Sequence, residues 1–105
     1  MGLFSKFMAP GINAKVAEAQ SDPNAIILDV RTSEEYARGH IEGAVNIPLN
    51  EIERAAQLYG NKHLYVHCAS GARSKRAVAQ LQALGVQNAQ NIGGIISWNG
   101  PLSTD

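Results

Sequence analysis

Cys68 is the single cysteine of this 105-residue chain, and it stands in the stretch HCASGARSKRA over residues 67–77. It follows LYV, an apolar run that reads as a buried strand, and it precedes residues with helical spacing. Ala69, Ser70, Gly71 and Ala72 are all small, so the backbone after the thiol can curl tightly and turn its N–H groups inward. Gly71 can take a positive φ at little cost. The helix beyond offers unpaired N–H groups and the positive end of its dipole. Together these make an anion cradle around the sulfur. Such surroundings lower a thiol from its free value of ~8.5 and raise the share of nucleophilic thiolate at neutral pH. Arg73 adds a planar cationic fork suited to an oxyanion, and His67, Lys75 and Arg76 add local positive charge. Judged on the thiol alone, a small core residue is an equally good reading, because free cysteine is among the most buried types. The strand-end position, the small loop, Arg73 and the following helix favour a reactive cysteine.

The elements that must position this loop alternate along the chain. AIILDV (25–30) is a continuous apolar run bounded by the turn-like SDPN and reads as a buried strand. TSEEYARG (32–39) reads as a short helix, with Thr32 and Glu35 as a capping box and Gly39 at its end. GAVNIP (43–48) is a short strand stopped by Pro48, and HLYVH (63–67) is another. NEIERAAQLYG (50–60) is a helix with Asn50 as N-cap and Ile52, Ala55, Ala56 and Tyr59 on one face. SKRAVAQLQALG (74–85) is a helix whose apolar face is Ala77, Val78, Leu81 and Leu84. AQNI (89–92) is a last strand, GIISWN makes a final helical turn, and NAKVAEAQ (13–20) is a helix capped by Asn13. Strands alternating with helices imply right-handed crossovers and a mostly parallel sheet covered on both faces. In such sheets ligands bind outside the carboxyl ends of the strands, which is where Cys68 stands.

Composition narrows the possibilities. Hydrophobic residues make up 45% and charged residues 17%, an ordinary globular balance that argues for one folded domain. Nine Lys+Arg cancel nine Asp+Glu, so charge gives no support to a nucleic-acid partner. No apolar run approaches membrane-spanning length, and the start MGLFSKFMAPGI lacks the pattern of a signal peptide. Lys6 stands where a myristoylation site wants Ser or Thr. A lone cysteine cannot form an internal disulfide, and a free thiol suits a reducing compartment. The expectation is a cytoplasmic protein with no membrane partner. Three His, one Cys and scattered carboxylates form no metal-ligand pattern, and no cofactor is expected.

Three motifs in order resemble the rhodanese family of sulfurtransferases. CASGAR is similar to that family's Cys-x-x-x-x-Arg active-site loop. ILDVRTSEEYARGHIEGAVNIPL (27–49) resembles its upstream segment, and NIGGIISW (91–98) its closing Gly-Gly-x-x-x-Trp stretch. The likeness runs from about Ile12 to Pro101, which makes residues 1–11 an N-terminal arm and 12–105 the domain. WNGPL departs from the usual spacing and points to a shortened last helix. The resemblance implies an α/β, rhodanese-like three-layer fold: a mostly parallel five-stranded sheet with helices on both faces. It implies that Cys68 takes a sulfane sulfur from a small-molecule or protein persulfide donor and carries it as a persulfide. The N–H groups of Ala69, Ser70, Gly71, Ala72 and Arg73 would stabilise the charged sulfur, and Arg73 would hold the loop and attract anionic donors. Cyanide or another thiol would then accept the sulfur.

Two other classes compete. Cysteine phosphatases and arsenate-type reductases also use a cysteine, a cradle and an arginine, but the related phosphatase loops carry one more residue. Non-catalytic rhodanese-like interaction modules typically lack the cysteine. Of the remaining residues, Asp29 and Arg31, supporting residues at a strand end on the loop edge, could orient the active-site loop or simply form a local polar network, and the network is the favoured reading. His40 reads as a structural histidine at a helix end, and Trp98 as a core anchor. The stripe Leu3, Phe4, Phe7 and Met8 reads as an arm over the core or a docking surface.

Overall fold

A computed structural model describes residues 11–105, so the arm and its apolar stripe Leu3, Phe4, Phe7 and Met8 lie outside the described residues. The elements in order are α1 (Ile12–Gln20), β1 (Ala25–Asp29), α2 (Ser33–Arg38) and β2 (Val45–Asn46). A 3-10 turn (Leu49–Glu51) then runs into α3 (Ile52–Tyr59). It is followed by β3 (His63–Cys68), α4 (Ala72–Ala83), β4 (Ala89–Gly94) and a closing 3-10 turn (Ile95–Ser97). The sheet order is β2-β1-β3-β4, and every pairing is parallel. Parallel strands need covered faces, and the strand sequences supply apolar residues to both.

Alternation along the strands divides the core in two. Leu28, Leu64 and Val66 pack on one side with Ile52, Ala55, Ala77 and Leu81 from α3 and α4. Ile27, Tyr65 and Ile92 pack on the other side with Ile12, Val16 and Ala19 from α1. Successive strand side chains point to opposite faces, so one apolar run feeds both clusters. Leu28, Leu64 and Leu81 are almost wholly buried. Each contributes roughly 1.5–3 kcal/mol by that burial. The result is three layers, with Cys68 at the carboxyl end of a central strand.

Several expectations change. Among the described residues the sheet has four strands rather than five. Only four apolar runs were available for strands, and the one further extended pairing is a single antiparallel bridge between His40 and Ser103. The α1 N-cap is Gly11 rather than Asn13. The Asn13 amide instead donates to the Ser97 carbonyl and accepts from the Asn99 N–H, tying α1 to the C-terminal turn. Asn50 lies inside the 3-10 turn, and α3 begins after Glu51 with no side-chain cap. α4 starts two residues earlier than expected, at Ala72. Leu84, at its C-cap, is 49% exposed, and Val86 fills the core instead. The Thr32–Glu35 capping box is present in full.

Candidate active site

The loop forms because β3 ends in Cys68 and Gly71 turns the chain into α4. Gly71 has φ +102, a left-handed conformation that costs little only in glycine. That turn aims the Gly71 N–H at Cys68 Sγ, 3.0 Å away. The first turn of α4 adds the Ser74 hydroxyl, with Oγ 3.5 Å from the sulfur. Cys68 is fully buried. Burial pushes the thiol up, but hydrogen bonds from the Ser74 hydroxyl and from the Ser74, Gly71 and Ser70 N–H groups outweigh it. The balance holds the thiol below its ordinary value. Of the loop N–H groups, that of Gly71 makes a hydrogen bond to the sulfur.

β4 forms the other wall of the loop. The Ala69 carbonyl accepts from the Ile96 N–H at 3.1 Å. A Cβ built on Gly94 would stand 2.3 Å from the Ala69 carbonyl oxygen and 2.6 Å from Ser70 Cα. Only glycine lets the loop backbone come this close at Gly94, while Gly93 takes a left-handed φ of +107. Asn91, in the same strand, donates to the Gly71 carbonyl at 3.1 Å and accepts from the Gly93 N–H at 3.0 Å.

Arg73 does not present an open fork. It makes a bidentate pair with Glu35 across the loop, at 2.8 and 3.0 Å. The Arg73 guanidinium, together with the Thr32 N–H, holds the Glu35 carboxyl down at about 2. Glu35 is thus both the capping residue of α2 and the partner of the loop arginine. Lys75 and Arg76 are exposed on the first turn of α4.

Asp29 and Arg31 form a separate buried pair. The Arg31 Nε and Nη2 donate to the two Asp29 oxygens at 3.0 and 2.7 Å, and Nη2 also donates to the Gly39 carbonyl. The Asn46 amide donates to the Asp29 and Arg31 carbonyls. These contacts fix the carboxyl end of β1 and the path of α2, and Asp29 also lies 3.8 Å from His67 Nε2, next to Cys68 in β3. His67 adds no positive charge. It is fully buried, and burial lowers its pKa and keeps the ring neutral, although Asp29 opposes this. Its Nε2 has no hydrogen-bond partner. His40 is buried, stacked on Tyr36 with ring centroids 3.7 Å apart, and its Nδ1 bonds to the Tyr36 carbonyl. Trp98 packs at the edge of the α1-side core and donates to the Pro101 carbonyl. Sequence reasoning missed Ser74, Asn91 and the second role of Glu35. All three act through contacts that depend on where α4, β4 and α2 end relative to the loop.

A thiol held below its ordinary value at the end of a strand, with an ion pair at the rim, is an arrangement that could serve a cysteine nucleophile. Residues 13–100 match the family model described as "Rhodanese-like domain". The Bacillus subtilis protein YrkF, whose name describes a sulfur carrier, is 41% identical over 85 residues, covering 79% of this chain and 46% of its own length. The thiosulfate sulfurtransferase PspE of Escherichia coli is 38% identical over 71 residues, covering 65% of this chain and 68% of PspE. The chain thus spans about half of the first relative and two thirds of the second. Among solved structures, a rhodanese-like domain protein from Staphylococcus aureus superposes with a TM-score of 0.76 at 30% identity, covering 91% of this chain and 96% of that one. The rhodanese-like domain of Alr3790 from Anabaena superposes at 0.77, also at 30% identity, covering 93% and 81%. No helix among the described residues is long and apolar enough to cross a membrane. With the fold and the family model in agreement, the chain belongs to the rhodanese-like domain family.

Proposed function

We propose that the chain moves a sulfane sulfur from a donor to an acceptor through a persulfide on Cys68. The observation that carries this reading is the sulfur itself, held below its ordinary pKa by the Gly71 N–H and the Ser74 hydroxyl although it is buried. In the first half-reaction the Cys68 thiolate attacks the outer sulfur of thiosulfate. A new S–S bond forms, the donor's S–S bond breaks, and sulfite leaves with the electron pair. In the second half-reaction cyanide or a thiolate attacks the outer sulfur, and Cys68 leaves as the thiolate. The same N–H groups serve both steps, because Cys68 Sγ carries negative charge at the start of one and the end of the other. A protein persulfide or polysulfide donor meets the same requirement. Because Cys68 is fully buried, loading needs a small opening at the rim and favours a donor that presents one projecting sulfur. A thiol that must stay reduced fits the cytoplasm.

The length of the loop disfavours the phosphatase reading: four residues separate Cys68 from Arg73, one fewer than in the related phosphatase loops. The test is a panel of thiosulfate, cysteine persulfide and polysulfide donors with cyanide and thiol acceptors. Sulfur transfer is expected from wild type and not from Cys68→Ser, with no turnover of an aryl phosphate. Phosphate turnover that outpaces transfer from every donor contradicts the proposal.

A further inference from the structure

Ser74 Oγ has one hydrogen and four acceptors within reach. Asn91 Oδ1 lies at 2.7 Å, the Gly71 carbonyl at 3.2 Å, and Cys68 Sγ and the Gly93 carbonyl each at 3.5 Å. Asn91 Oδ1 is therefore the nearest of the four acceptors to the hydroxyl. The orientation of its amide is fixed by chemistry: the Gly93 N–H can only face an oxygen, and the Gly71 carbonyl can only face the NH2 group. The same side chain that steadies Ser74 thus also holds the Gly71 carbonyl, in the peptide next to the one whose N–H bonds to Cys68 Sγ.

We propose that Asn91 is a positioning residue for sulfur transfer, which from β4 sets the Ser74 hydroxyl beside Cys68 Sγ and anchors Gly71 by its carbonyl. The proposal rests on the persulfide reading above. With a neutral thiol, the Cys68 S–H can donate to Ser74 Oγ while the hydroxyl donates to Asn91 Oδ1. With a thiolate, the hydroxyl turns and donates to the sulfur. Asn91 Oδ1 is not stranded by that turn, because the Gly93 N–H still bonds to it. When sulfur is loaded, the negative charge moves to the outer sulfur and the hydroxyl returns to Asn91. When the acceptor attacks, charge reappears on Cys68 Sγ and the hydroxyl meets it. Asn91 touches no reacting atom; it acts through Ser74 and Gly71. The residue is exposed, and nothing in the hydrophobic core leans on its side chain.

The test titrates the thiolate by its ultraviolet absorbance, with Cys68→Ala as the blank, so that the lone thiol is the only signal in the difference. In Asn91→Ala the Gly71 carbonyl loses its anchor, so the turn that aims the Gly71 N–H at the sulfur loosens, and the hydroxyl is free to settle on a carbonyl. The Cys68 midpoint is expected to rise by about 0.5–1 pH unit, the equivalent of one neutral hydrogen bond. Asn91→Asp is nearly isosteric but cannot donate to Gly71 and adds a like charge near the sulfur, so its midpoint is expected to rise further. In a Ser74→Ala background the Asn91→Ala shift is expected to shrink, because part of it passes through the missing hydroxyl. Unchanged midpoints in folded Asn91→Ala and Asn91→Asp overturn the proposal, as does an Asn91→Ala shift of equal size with and without Ser74. The titration needs no sulfur donor. An inactive wild type with shifted variant midpoints would sink the persulfide reading alone, and an active wild type with unshifted midpoints would sink the role of Asn91 alone.

Discussion

Two arginine–carboxylate pairs bracket α2, and water separates them in kind. In the Arg31–Asp29 pair the side chains are 8% and 0% exposed; in the Arg73–Glu35 pair they are 34% and 25% exposed. The first is surrounded by further partners, with the Arg31 N–H on Asp29 and the guanidinium on the Gly39 carbonyl. The second stands at the rim, where solvent screens it and either partner can let go. The same two chemical groups therefore do different things. A buried pair is costly to break because a charge is left behind in low dielectric, whereas a rim pair contributes little to stability and is free to shape a site. The β1 end is scaffold, and the rim of the cysteine loop is adjustable.

The largest break in that contrast is Asp29→Ala. It leaves Arg31 charged and unpaired inside the protein, and a loss of about 3–5 kcal/mol is expected. Urea unfolding followed by circular dichroism reads it as a large fall in the midpoint. A loss below about 1 kcal/mol would erase the distinction between the two pairs. The next effect in size comes from Glu35→Gln, which removes the charge facing Arg73 but keeps a side chain that can complete the capping box. A loss of about 1 kcal/mol is expected at neutral pH. Its pH dependence has a definite sign. The folded pKa of Glu35 is lowered from 4.5 to about 2, so its stabilisation is fully present above about 4.5 and disappears as pH falls towards about 2. The stability difference between wild type and Glu35→Gln should close over that window, and a difference that stays constant in acid contradicts the assignment. The smallest effect belongs to Arg54→Ala. The Arg54–Glu51 pair, at 2.8 Å, has side chains 54% and 44% exposed. Less than about 0.5 kcal/mol is expected from its loss, and a thermal melt shifted as far as that of Glu35→Gln would show that exposure does not rank these pairs.

The layers and the cysteine loop were legible in the sequence because their signals are local. Apolar runs such as AIILDV mark buried parallel strands, Thr32 and Glu35 sit at capping-box spacing, and Gly71 follows a strand end among small residues. What was not legible depends on distance along the chain. Arg73 meets Glu35 from 38 positions away, and Asn91 meets Ser74 from 17. Neither spacing is periodic, so no pattern announces them. Charge counting misjudged His67, because its sequence neighbours are positive while its spatial neighbours exclude water and leave the ring neutral. Arg73 was read as open to anions because its pairing partner belongs to another element. The fifth strand came from resemblance rather than from an apolar run of its own.

The central claim is that Cys68 carries the transferred sulfur. Treating the protein with thiosulfate or a persulfide donor, removing excess reagent and weighing the peptide that contains Cys68 by mass spectrometry tests it directly. A gain of one sulfur mass on Cys68 is expected, and it should vanish when cyanide or a thiol is added. Folded protein that gains no mass from any donor in the panel, or that holds the added sulfur anywhere other than Cys68, would contradict the account.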